Sequence, residues 1–176
     1  MTAEVNRVVD RAIVIGCPGA GKSTFSRRLR DLTGLPLHYL DMLWHLPDGS
    51  SVSREKFDAA LEQILSDDRW IIDGNYSRTL ERRLEKCDTV YLFDLPVEIC
   101  VAGAAARIGR QREDLPWLET VFDEEFRKYI LNFPKENLPE IYNLLDKYKN
   151  TTNIYIFKSH EEADRYLDRL SDEITR

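Results

Sequence analysis

Residues 16–23 read Gly-Cys-Pro-Gly-Ala-Gly-Lys-Ser and follow directly on the unbroken apolar run Ala12-Ile13-Val14-Ile15. They fill every fixed position of the pattern G-x-x-x-x-G-K-[ST]. At ~7% glycine usage, chance would place that string in roughly one chain in a hundred or fewer. A continuous apolar run is what a strand covered on both faces requires. Beyond the motif, Phe25, Leu29 and Leu32 recur at i, i+4 and i+7, and Gly34 stands where a helix is capped. The predicted order is buried strand, glycine-rich turn, amphipathic helix. Glycines let backbone N–H groups turn inward and approach phosphate oxygens, and the helix start adds unpaired N–H groups and partial positive charge. Gly16, Cys17, Pro18, Gly19, Ala20, Gly21, Lys22, Ser23 and Thr24 are therefore expected to cradle a nucleoside triphosphate. Lys22 should reach the β- and γ-phosphates, and the Ser23 hydroxyl should ligate Mg²⁺.

The rest of the chain continues the alternation. Leu37–Leu40, Trp70–Ile72, Val90–Phe93 and Asn153–Phe157 have strand length and apolar character. Helical spacing links Phe57, Leu61, Ile64 and Leu65, then Leu80 and Leu84, and finally Ala163, Leu167 and Leu170. Further helices are expected over 96–109, with Pro96 in the first turn, and over 118–132 and 135–149. Strands alternating with helices predict an α/β fold, a parallel sheet with helices on both faces. At 176 residues, without repeats or low-complexity tracts, residues 1–176 read as one domain.

Charge and composition narrow the class. Twenty-five Lys plus Arg against 31 Asp plus Glu leave a net charge of −6. That balance argues against direct nucleic-acid contact, which needs a surplus of positive charge. Three cysteines imply no disulfide framework and fit a reducing compartment. Met1 to Asp10 is charged and lacks the apolar stretch of a signal peptide, and no run approaches the ~20 apolar residues of a membrane span. A cytoplasmic protein without a membrane partner is expected; monomer and homodimer both stay open. No N/T-K-x-D string offers guanine readout, and the chain is short for a motor or an ATPase with a separate lid domain. A small kinase remains.

In open parallel sheets, ligands bind beyond the carboxyl ends of the strands. Asp41 is expected to close the second strand there and to accept or orient the proton of an acceptor hydroxyl. Asp73, followed by Gly74, is expected to hold a water on Mg²⁺. Asp94 precedes Pro96 and reads better as a helix cap. Arg78, Arg82 and Arg83 follow the Asp73-Gly74 turn. Arg107, Arg110 and Arg112 form a second group, with no acid between Val101 and Arg112 to neutralise them. Guanidinium forks there would offset charge on a transferred phosphoryl group. Tyr39, Trp44 and Tyr76 could stack an acceptor ring or pack in the core. His38, His45 and His160 lack the spacing of metal ligands. Cys17, at a helix start, is either a thiol of lowered pKa or a tolerant spacer.

Gly16 to Ser23, His38-Tyr39-Leu40-Asp41-Met42-Leu43-Trp44, Trp70-Ile71-Ile72-Asp73-Gly74-Asn75-Tyr76 and Phe93-Asp94-Leu95-Pro96 resemble bacterial proteins labelled DNA topology modulation proteins. Asn132-Phe133-Pro134 and Phe157-Lys158-Ser159 continue the likeness, which spans about residues 11–170. That group is similar to adenylate and other small-metabolite kinases. The resemblance implies a P-loop NTPase fold, a three-layer arrangement with a five-stranded sheet ordered 2-3-1-4-5, and a small helical lid near 105–135. It also implies that Arg78 holds an acceptor phosphate, with Asp41, Trp44, Asp73 and Gly74 nearby. Arg107 and Arg110 would be lid arginines on adenine and phosphate, and Lys158 and Ser159 would lie at the adenine edge. The stretch between Asp41 and Ser53 departs from the adenylate-kinase acceptor segment.

The sequence thus predicts an ATP- and Mg²⁺-dependent kinase acting on a nucleoside, a nucleotide or a hydroxylated metabolite. A weak ATPase, or a nucleotide-binding regulator acting on DNA topology through a partner, are the alternatives.

Overall fold

The computed structural model describes residues 9–175. The N-terminal segment read above as no signal peptide lies, through residue 8, outside them. Strands β1 (Arg11–Gly16), β2 (Leu37–Tyr39), β3 (Trp70–Asp73), β4 (Thr89–Phe93) and β5 (Asn153–Phe157) form one sheet. Its order is β2-β3-β1-β4-β5, and every pairing is parallel. The helices are α1 (Lys22–Thr33), α2 (Leu40–Trp44), α3 (Arg54–Leu65), α4 (Ser77–Leu84), α5 (Val97–Ala106), α6 (Glu124–Glu136), α7 (Leu138–Tyr148) and α8 (His160–Thr175). This is the expected P-loop architecture and strand order. Among the described residues no helix is long and apolar enough to cross a membrane.

The apolar runs form the core. Ala12 to Ile15, Trp70 to Ile72 and Val90 to Leu92 have no exposed surface, and they belong to the three strands with neighbours on both sides. Phe25 of α1 meets the rings of Tyr91, Phe93 and Phe157 at 4.9, 5.3 and 5.4 Å. Each such aromatic pair adds ~0.5–1.5 kcal/mol beyond area burial, so the helix that follows the glycine-rich loop is anchored to β4 and β5. The register sets Asp73 level with both Val14 and Tyr39, and Gly16 level with Phe93. Four strands therefore present their carboxyl ends along one edge.

Three expectations need correction. The second strand stops at Tyr39, and Asp41 lies in the first turn of α2. Tyr39 pairs with the last residue of β3, so the chain beyond has no strand to bond and closes on itself, His45 N–H donating to Asp41 O at 2.9 Å. The helix expected from 118 begins at 124, where the Asp123 carboxylate caps it by accepting from Phe126 N–H at 3.2 Å. Its last turn contains Pro134, and it is tied to the core through buried Ile130 and Phe133, so the stretch 105–135 divides into a covering segment, 107–123, and a docked helix. Asp94 does not cap α5, whose N-cap is Pro96. It accepts from the Tyr142 hydroxyl at 2.5 Å and from Lys158.

Candidate active site

Two cavities open at the carboxyl edge of the sheet. The larger, about 600 Å³, lies over the glycine-rich loop and is bordered by Gly19, Thr24, Arg110 and His160. The smaller, about 350 Å³, lies between the Asp41 and Asp73 turns and the helices α6 and α7. Lys22, Ser23, Arg107, Arg112 and Asp114 line both.

The loop rests directly on α5. Gly19 has φ +81°, and a Cβ there would stand 2.0 Å from the Cys100 carbonyl oxygen. From the other side, a Cβ on Gly103 would stand 2.1 Å from Gly19 O. Both glycines are required by this contact. Cys17 is buried in the loop, and the neighbouring Cys100 thiol and burial both push its thiol up, the opposite direction to the lowered pKa considered from sequence. Lys22 Nζ donates to Gly16 O at 2.9 Å and to Cys17 O at 3.0 Å. Burial lowers its pKa, while the Asp73 carboxylate works in the opposite direction.

Asp73 is buried at the end of β3 and accepts from Ser26 Oγ at 3.0 Å. Burial pushes its carboxyl up to about 6, against the pull of Lys22, Ser26 and Ser23. The turn after it ties the site together. Asn75 Oδ1 accepts from Gly16 N–H at 2.9 Å, and Asn75 Nδ2 donates to Gly16 O at 2.8 Å. Tyr76 adopts φ 41°, a left-handed conformation that costs a bulky residue about 1–2 kcal/mol. Its hydroxyl donates to Asp41 Oδ1 at 2.7 Å, and its ring stacks on Phe57 at 5.2 Å. Arg83 holds this turn from beneath. Its guanidinium is buried and donates to the carbonyl oxygens of Gly74 (2.9 Å), Tyr76 (3.2 Å) and Asn75. With no carboxylate partner among the described residues, burial lowers its pKa to about 9.

The covering segment carries its own acids. Arg112 donates to Asp114 at 3.0 and 2.7 Å and to Glu119 at 2.5 Å, and Ser23 Oγ donates to Asp114 at 3.1 Å. Arg107 lies 3.6 Å from Glu119 and over the Phe126 ring at 5.6 Å. Arg107 and Arg112, expected to lack neighbouring acids, do have them: the acids lie a few residues downstream, and the loop folds back to bring them in.

The structure gathers Pro18, Gly19, Gly21, Lys22, Ser23, Thr24, Asp41, Asp73, Gly74, Arg107 and Arg110 around the two cavities. It leaves others outside. Arg78 forms a two-pronged pair with Asp58 of α3, at 3.0 and 2.6 Å. Trp44 packs edge-on against Phe57, Lys158 pairs with Asp94, and Ser159 accepts from Glu162 N–H at 3.2 Å. None of these four lines either cavity. Sequence reasoning overlooked Asn75, although it follows a strand-end acid. Asp114, Glu119, Tyr129 and Asn137 carried no signal at all. His160, set aside as no metal ligand, donates from Nε2 to Ala20 O at 3.0 Å.

Hard oxygen donors face the loop in Ser23 and Asp73. Among the described residues no three His, Cys, Asp or Glu side chains converge on one point. That donor set suits Mg²⁺, which usually binds through one or two protein oxygens together with substrate phosphates.

No family model and no curated protein matches the sequence. Among solved structures, the fold is similar to a shikimate kinase from Acinetobacter baumannii in complex with shikimate. The TM-score is 0.60 at 16% identity, over 96% of this chain and 94% of that one. The chain therefore shares its P-loop fold with that enzyme.

Proposed function

We propose that this protein is an ATP- and Mg²⁺-dependent kinase that phosphorylates a small hydroxyl-bearing acceptor. One observation carries the reading: the loop cavity and the second cavity meet at Lys22 and Ser23, with Asp41 on the far side of that junction. A donor held on the loop and an acceptor held beside Asp41 would lie adjacent, as in-line transfer requires. Loop N–H groups and the start of α1 bind phosphate oxygens, and Lys22 exchanges its two carbonyl partners for the β- and γ-phosphates. Asp41, oriented by the Tyr76 hydroxyl, takes or aims the acceptor proton. Arg107 and Arg112 offset charge on the moving phosphoryl group, and Arg110 meets the nucleotide side. Ser23 and Asp73 would hold a Mg²⁺ ion, which would supply positive charge against the phosphates of the donor.

The segments around Asp41 and Asp73 support grouping the chain with the DNA topology modulation proteins. The net charge of −6 supports no direct contact with DNA. Product analysis tests the reading. A kinase yields ADP and a phosphorylated acceptor, an ATPase yields phosphate alone, and a regulator yields neither. Lys22→Ala should abolish turnover, because the β/γ-phosphate charge loses its fixed counter-charge. Turnover equal to the parent's would refute the assignment.

A further inference from the structure

The second cavity has an uneven charge pattern. Its positively charged lining residues are Lys22, Arg107 and Arg112, and all three also line the loop cavity. They stand at the junction. Beyond it, the charged side chains are Asp41, Asp73 and Glu140, every one an acid. Of the arginines after the β3 turn, Arg78 is committed to Asp58, Arg82 to Glu62 and Arg83 to the backbone of the turn, and none of them lines the cavity.

The remaining surface is apolar and aromatic. Phe126, Tyr129 and Phe133 of α6 face Ile141 and Leu144 of α7, and the rings of Phe126 and Tyr129 lie nearly parallel, at 20°. Between them, Asn137 Oδ1 is buried without a hydrogen-bond partner. That atom is sealed between the helices, and the acceptor the wall offers a ligand is the exposed Glu140 carboxylate, which favours a compound that donates an N–H or O–H. The volume, about 350 Å³, falls at the small end of ligand pockets, which run ~300–1,000 Å³.

We propose that this cavity takes an uncharged hydroxyl compound with a flat ring and an N–H donor, the chemistry of a nucleoside bearing an exocyclic amino group. It discriminates against acceptors that already carry a phosphate or a carboxylate. The ring packs against the α6 aromatics, the amino group donates to the Glu140 carboxylate, and the hydroxyl reaches Asp41 beside the junction. A phosphate on the acceptor would sit near Asp41 and Glu140, with the nearest cations occupied by the donor. The proposal rests on the kinase reading and narrows it.

The test uses the full chain with Mg²⁺ and ATP, and adenosine, cytidine, AMP, CMP and shikimate as probes. ATP binding and probe binding are measured by calorimetry, and phosphorylated products by mass spectrometry. At least one nucleoside should bind and be phosphorylated, and its kcat/KM should exceed that of its own monophosphate by about tenfold or more, since like charges brought together in such a site are strongly disfavoured. Glu140→Lys, at an exposed position, should shift that ratio toward the monophosphate by about tenfold. A preference for AMP, CMP or shikimate would overturn the proposal. So would failure of every probe to bind while ATP binds in a Lys22-dependent way, an outcome that leaves the kinase reading intact. Absence of ATP binding would overturn both.

Discussion

Replacing glycine by alanine inside a helix ordinarily stabilises a protein, and Gly103 of α5 should do the reverse. Helix propensity alone assigns Gly103→Ala a gain of roughly 0.8–1 kcal/mol. The structure opposes it, because the new Cβ would stand 2.1 Å from Gly19 O and 3.1 Å from Gly19 C. Both are backbone atoms of the phosphate loop, so no side chain can rotate away. Relief demands that loop and helix part by about 1 Å, and overpacking of this kind costs typically 1–3 kcal/mol. The steric cost therefore cancels or exceeds the propensity gain, and the net change should lie between about zero and 2 kcal/mol of destabilisation. The larger effect should fall on nucleotide handling, since a 1 Å misplacement of a binding element can cost about 10²-fold in rate. Thermal melting and ATP titration of Gly103→Ala measure the two effects separately. A variant more stable than the parent by the full propensity gain, with unchanged ATP affinity, would show that α5 does not hold the loop by this contact.

Asp41→Asn should keep ATP affinity within a few-fold and lower acceptor phosphorylation by ~10²–10⁴, the usual loss for a positioned acid–base group; a parallel loss of Mg²⁺·ATP binding would instead make Asp41 part of the metal shell. Arg83→Met removes the buried guanidinium that bonds three carbonyls of the 74–76 turn and should cost about 3–5 kcal/mol. In a chain of this length that lowers the melting temperature by roughly 10 °C, and a shift under about 2 °C would contradict the proposed clamp. Asp114→Asn weakens the bonds from Arg112 and Ser23 and should cost about 1.5–3 kcal/mol. Hydrogen exchange over 107–116 should then quicken about tenfold or more, and unchanged exchange would separate Asp114 from the docking of that segment.

The sheet and the phosphate loop were legible in the sequence because their signals are local. Ala12 to Ile15, Trp70 to Ile72 and Val90 to Phe93 are apolar throughout, as strands buried on both faces must be. Gly16 to Ser23 carries its backbone requirements in its own composition, and β5 runs over the expected residues 153–157. The end of β2 was misjudged because a strand lasts only as long as its neighbour, and β3 leaves the sheet after Asp73. Charge partners were equally hidden. Arg107 and Arg112 read as unneutralised until the loop 107–123 folded back on Glu119 and Asp114. Arg78 and Arg83 lie five residues apart on one helix, yet one faces Asp58 in solvent and the other is sealed under the 74–76 turn. Only the packing of α4 against its surroundings separates them. The second cavity depends most on tertiary structure: its walls include β2, β3, α6 and α7, up to about a hundred residues apart, and neither Phe126 nor Tyr129 differs in spacing from an ordinary helix residue. Local pattern therefore determined where phosphate would be held, while the shape and charge of the space beside it arose from side chains that meet only when the chain is folded.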